Sequence, residues 1–219
     1  LLSCQGQVPE GLDPGPVKAY CARQAKLAAR GARARAALQA ALQPLRPARL
    51  PSAVVFPFSS PDLLRALAAY PDARNVTLTS GRGCGDPRLP AGMREPGRLG
   101  AFLSAVADEG EELLGAREGG PRRPGRAGRR LDALPLLLWA LAVEGDEPTG
   151  LKYLKVEPGG TLQYLGASEL ASAEKAAQGP FDSCELAFVR RGEPAGALPR
   201  LVRNLRVGLS DGALTADPG

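Results

Sequence analysis

Val54-Val55-Phe56-Pro57-Phe58-Ser59-Ser60-Pro61-Asp62-Leu63-Leu64 passes directly from a β-branched and aromatic run into the chemistry of a helix start. Ser60 is placed as an N-cap, Pro61 at the first helical position and Asp62 in the first turn, so a helix is expected from Pro61. Leu63, Leu64, Leu67 and Tyr70 recur at helical spacing, Pro71-Asp72 ends the helix, and Val76-Thr77-Leu78-Thr79 resumes an extended pattern. Such strand, helix, strand units put their two strands parallel in one sheet with a right-handed crossover. Ser59 and Ser60 then lie at the carboxyl end of a strand, where open α/β sheets bind ligands. One reading makes Ser59, Ser60 and Asp62, with the free N–H groups of the helix start, a site for an anion or polar ligand. The other leaves Ser60 only its capping role.

The rest of the chain sets bounds on that unit. Its 219 residues suffice for one sizeable core, or a core with a small appendage. The bias toward Ala, Leu, Arg, Gly and Pro reflects genome composition more than function. The formal charge of +5 comes from arginine clusters in mixed-sign surroundings and fits an acidic partner without requiring one. The chain contains no histidine, which excludes Ser-His-Asp and Cys-His catalysis within it and removes the commonest zinc ligand. Neither a metal nor another cofactor is expected.

The sequence begins Leu1-Leu2-Ser3-Cys4 without an initiator Met, and reads as a piece of a longer precursor. Leu-Leu-Ser-Cys also has the form of a bacterial lipobox, in which the cysteine thiol is acylated and the cysteine becomes the mature N-terminus. Residues 1–15 would then be a signal remnant and tether, although a processed lipoprotein would have lost Leu1 to Ser3. The other cysteines are Cys21, Cys84 and Cys184. Their wide spacing gives no CxxC pair and no zinc pattern. Cys84 and Cys184 each flank an expected core strand and form the preferred disulfide, with buried free thiols as the alternative.

Residues 16–50 read as an N-terminal helical arm, broken near Gly31, with Lys18, Arg23, Lys26, Arg30, Arg33 and Arg35 on a basic face. That face suits anionic lipid or nucleic acid, but no aromatic side chains interleave to stack bases, so a solvated face on a docking helix is preferred and no specific nucleic acid is expected. Residues 51–219 read as the α/β domain. Within it, Ser80-Gly81-Arg82-Gly83-Cys84-Gly85-Asp86-Pro87 lacks the Walker lysine or the GxGxxG helix start of a phosphate loop. Cys84 beside Arg82 has the setting of a reactive thiolate but no base, which favours a structural cysteine.

A helix is expected from about Leu99 to Leu114, and a mobile, low-complexity basic loop over 116–130. Leu131 to Val143 is apolar nearly all round and too short to span a bilayer, so it reads as a buried helix. Lys152 to Val156 and Thr161 to Leu165 alternate around Pro158-Gly159-Gly160 as a hairpin. Ser168 to Gln178 reads as a surface helix capped by Ser168, Glu185 to Val189 as a strand, and Leu198 to Leu205 as a helix.

Val55-Phe56-Pro57-Phe58-Ser59-Ser60-Pro61-Asp62-Leu63-Leu64, followed by Tyr70-Pro71-Asp72-Ala73 and a short strand, resembles the "YPFSGPDFL … FPDA … Y-V-L" signature of a family of uncharacterised bacterial lipoproteins. The later hairpin, the strand near Phe188 and Ser210-Asp211-Gly212 are similar in order to that family's later segments. The sequence departs from the signature in carrying Ser60 where the family has Gly, and in lacking its "LEPVG"-like continuation. The resemblance implies export from the cytoplasm and supports lipidation at Cys4; it carries no activity.

The sequence thus predicts a single α/β domain with a mixed, partly parallel sheet flanked by helices, preceded by an N-terminal helical arm. Functionally it predicts a non-catalytic extracytoplasmic lipoprotein, a binding or assembly component of the bacterial cell envelope. Its partner would be an envelope protein or the membrane surface reached through an acylated Cys4. The enzyme alternative is a hydrolase using Ser60 or Asp62, Asp86 and Asp211 as acid or base. A third possibility is nucleic-acid or anionic-lipid association through Arg122 to Arg130.

Overall fold

The computed structural model describes residues 2, 4, 8–57, 62–88, 92–114, 131–157, 159–173, 181–194 and 196–207. Ser59, Ser60, Asp211 and the 116–130 loop lie outside the described residues.

Six strands form one mixed sheet in the order β1-β2-β6-β5-β3-β4: β1 (Ala53–Phe56), β2 (Asn75–Ser80), β3 (Glu147–Val156), β4 (Leu162–Tyr164), β5 (Ser183–Val189) and β6 (Arg200–Arg206). β1 pairs parallel with β2 across helix α2 (Leu63–Ala69), as the end chemistry of the opening stretch implies. β6 continues the parallel half beside β2, and β5, β3 and β4 add antiparallel pairs, β3 and β4 forming the expected hairpin.

β6 corrects the reading of residues 198–205 as a helix. Leu201, Val202 and Leu205 fall at helix-like spacing, yet the segment lies between β2 and β5, and both neighbours satisfy its backbone. Val202 and Asn204 consequently face the core, while Leu201, Arg203 and Leu205 alternate to the other face.

One face of the sheet is buried. Val54, Val76, Leu78, Val202, Cys184, Leu186, Phe188 and Tyr153 join a single core with residues of α1 (Pro14–Leu42), α2, α3 (Pro96–Leu113) and α4 (Ala133–Glu144). The opposite face carries a row in register that starts at the exposed Val55 and continues through the polar Thr77, Arg203, Glu185 and Lys152. There Arg203 Nε lies 2.7 Å from Glu185 Oε2, which also accepts the Tyr164 hydroxyl at 2.8 Å. The architecture is therefore a two-layer α/β domain.

α1 starts at an Asp13 cap that accepts the Gly15 N–H at 2.9 Å, and it buries Val17, Tyr20, Leu27 and Gly31. It runs unbroken through Gly31, correcting the expected break. A Cβ there would lie 3.0 Å from Val143 Cγ1, so the glycine permits close approach of α1 to α4. Part of the basic face of α1 is used internally: Arg23 pairs with Asp108 and Glu111, and Arg30 with Glu111, on α3. α4 is buried on nearly every side, and no helix among the described residues is long and apolar enough to cross a membrane.

Two smaller readings also change. α2 begins at Leu63, with Asp62 at the cap position making no side-chain capping bond. The late helix α5 (Ala167–Ala173) already contains Ser168, and Glu169 Oε2 instead accepts the Gly166 N–H at 2.8 Å.

Candidate functional site

The sequence points to the carboxyl ends of the parallel strands. Of the residues expected there, Asp62 pairs with Arg65, one turn along its own helix. Asp86 accepts the Arg88 backbone N–H at 2.8 Å and Arg88 Nε at 2.9 Å, and the Arg88 guanidinium holds its carboxyl below the usual aspartate value. Both carboxylates are thus engaged by arginines within three residues of them.

The glycine-rich loop is a structural clamp. Cys84 is joined to Cys184, the preferred pair, which removes it as a nucleophile. The Cys84 and Gly85 N–H groups donate to the Asp182 and Phe181 carbonyls, each at 2.9 Å. The Gly83 and Cys84 carbonyls accept from Ala133 and Leu134 at the start of α4, again at 2.9 Å, and the Tyr153 hydroxyl donates to the Gly85 carbonyl at 2.7 Å. The Cys84 and Gly85 backbone donors are thus spent inside the fold and not on a phosphate.

Cys4, expected as a lipidation site, is bonded to Cys21. A thioether-linked lipid and this disulfide exclude each other at the same sulfur. The two disulfides indicate an oxidising, extracytoplasmic environment.

A cleft opens at the other pole, beside the amino ends of β2 and β6. It has a volume of about 210 Å³ and is lined by Arg35, Gln39, Leu67, Pro71, Glu144, Asp146, Arg190 and Arg191. The end of α4 sets its floor. Gly145 adopts a left-handed conformation (φ 77°), the Asp146 N–H returns to the Leu141 carbonyl at 2.9 Å, and the chain turns into β3. This C-cap fixes Asp146 in the cleft wall at 4% exposure, with Oδ2 lacking a hydrogen-bond partner among the described residues. Burial pushes the Asp146 carboxyl above the usual aspartate value, while Arg190, Arg200 and Arg35 pull it back.

The turn from β5 to β6 lines the cleft beside Asp146. Glu193 Oε2 accepts the Arg190 N–H at 3.2 Å, and Glu193 Oε1 lies 3.1 Å from Arg200 Nη2. Arg200 Nη1 also donates to the Pro71 and Ala73 carbonyls, both at 3.0 Å. Arg200 and Glu193 are consumed in bracing the turn, whereas neither Arg190 nor Arg191 forms an ion pair among the described residues. The Arg190 guanidinium is held below its ordinary value by burial and by the neighbouring Arg200 charge. Arg35 pairs with Glu144, and these two also line an adjoining, more apolar chamber of about 270 Å³ with Leu38, Leu64 and Leu113.

Chemically, the cleft gathers a buried acceptor, Asp146 Oδ2, with two cations, Arg190 and Arg191, that form no ion pair among the described residues; Arg190 follows Val189, the register partner of Glu147, and its charge interacts with that of Asp146. Sequence reasoning marked Arg35 only as part of a basic face and missed Asp146, Arg190 and Arg191. Among the described residues no cluster of His, Cys, Asp and Glu is arranged to hold a metal. Comparison with protein-family models, curated proteins and solved structures finds no match for the chain.

Proposed function

We propose that the chain is a non-catalytic, extracytoplasmic binding component of a bacterial cell envelope, and that the cleft around Asp146 takes its ligand. The observation that carries this reading is a buried carboxylate oxygen, Asp146 Oδ2, without a hydrogen-bond partner among the described residues, in a cleft also lined by Arg190 and Arg191, neither of which forms an ion pair among those residues. An unsatisfied buried polar group costs about 1–3 kcal/mol, more when charged, and a bound ligand can supply the missing partner. Binding is favoured over hydrolysis because all four cysteines are bridged and Asp62 and Asp86 are held by arginines. The envelope location rests on the resemblance of residues 55–64 to bacterial lipoproteins.

Amide NMR of the isotope-labelled chain tests the site. Adding inorganic phosphate as a generic anion is expected to move the signals of Arg190, Arg191 and Asp146 and leave Asp62 and Asp86 in place; shifts confined to residues 59–88 would overturn the assignment. Anchorage is tested by intact mass after membrane fractionation of native cells. A diacylglyceryl mass on Cys4 supports a tethered domain with Cys21 outside that disulfide, and a Cys4–Cys21 disulfide without lipid removes the anchor from the proposal.

A further inference from the structure

We infer that the cleft takes a small zwitterion, a free α-amino acid, with its carboxylate against Arg190 and Arg191 and its ammonium group against Asp146 Oδ2. This rests on the reading of the cleft as a binding site and adds the class of ligand. A simple anion would complement the arginines but leave the buried Asp146 oxygen without a donor. A simple amine would satisfy Asp146 but bring a further positive charge beside Arg190 and Arg191, neither of which forms an ion pair among the described residues. An ammonium and a carboxylate separated by one carbon answer Asp146 and the neighbouring arginines at once, each through charge-assisted hydrogen bonds.

The setting is arranged for that role. Arg191 is carried over the Gly145 turn, its Cδ 3.4 Å from where a Cβ on Gly145 would stand, which sets it beside Asp146. The Glu193 and Arg200 bonds fix the turn that presents both arginines, so little ordering is left to binding. Leu67 and Pro71 give the cleft an apolar wall, and its volume of about 210 Å³ holds a side chain the size of valine or leucine. The Arg35 and Glu144 pair closes on itself and contributes no net charge.

Calorimetric titration of the oxidised full chain tests the inference with three probes: L-leucine, N-acetyl-L-leucine, which lacks the ammonium, and L-leucine methyl ester, which lacks the carboxylate. L-Leucine is expected to bind at least about tenfold more tightly than either derivative. Asp146→Asn is expected to abolish the preference over the N-acetyl compound, and Arg190→Gln the preference over the ester. Equal binding of L-leucine and N-acetyl-L-leucine, with phosphate still shifting Arg190, would leave the binding site standing and overturn the zwitterion. If no probe binds and phosphate shifts nothing, both proposals fall. Circular dichroism of each variant separates loss of binding from loss of fold.

Discussion

Gly110 on α3 gives its missing side chain's place to the Trp139 indole on α4: a Cβ at position 110 would lie 2.3 Å from Trp139 Cε2. Trp139 is fully buried, so the ring has little freedom to withdraw. A helical glycine normally costs up to about 1 kcal/mol relative to alanine, and here close helix packing is what it secures. Gly110→Ala is therefore expected to destabilise the fold by about 1–3 kcal/mol despite its better helix propensity, because the core is overpacked. Urea denaturation followed by Trp139 fluorescence measures this, and an unchanged or higher midpoint would refute the packing argument.

The two disulfides should contribute unequally. Cys84 and Cys184 are 100 residues apart, Cys4 and Cys21 only 17. In the loop-entropy description the longer bridge is worth about 5 kcal/mol and the shorter about 3 kcal/mol. The longer one also underlies the clamp between the glycine-rich loop, α4 and β5. Cys84→Ala with Cys184→Ala is thus expected to lower the thermal midpoint more than Cys4→Ala with Cys21→Ala, and scanning calorimetry on the two double variants decides the order.

Arg200 ties three segments together through the Pro71 and Ala73 carbonyls and Glu193. Arg200→Leu keeps some of the packing but leaves those acceptors without their donor, at an expected cost of about 2–3 kcal/mol. Arg200→Lys can reach fewer of them and should recover only part of the loss. Equal stability of parent and Arg200→Leu in chemical denaturation would show that the bracing is dispensable.

These effects show where the sequence was informative. The parallel unit around residues 54–79 was legible because the β-branched run, Ser60-Pro61-Asp62 and Pro71-Asp72 are local signals. So was α4, whose uniform apolarity permits only a buried place. β6 was not, since Leu201, Val202 and Leu205 mimic a helical stripe and only pairing with β2 and β5 selects the strand. The cleft was hidden for a related reason. Arg35, Asp146 and Arg190 come from three distant segments, and each looks like an ordinary surface or turn residue until the C-cap at Gly145 and the turn at Glu193 bring them to one space. The one local trace was the charged Asp146 directly after a Leu-rich helix and its terminal glycine.

The pH dependence of stability offers the sharpest test of Asp146. Burial raises its carboxyl above the unfolded value near 3.8, the arginines only partly offsetting it. Between the unfolded and folded values, the folded chain retains a proton that the unfolded chain has lost, so stability falls as pH rises through that window. Above the folded value the penalty is fully present. Asp146→Asn cannot ionise, so it should match the parent below the unfolded value and exceed it at neutral pH. The same substitution is expected to abolish the preference for L-leucine over its N-acetyl derivative, a gain in stability set against a loss of binding. Denaturant titrations of parent and variant across pH 3–8 measure the difference. A variant that instead loses stability as pH rises would mean that Arg35, Arg190 and Arg200 outweigh burial, and that Asp146 serves the fold as an ion-pair partner with no need of a ligand's ammonium group.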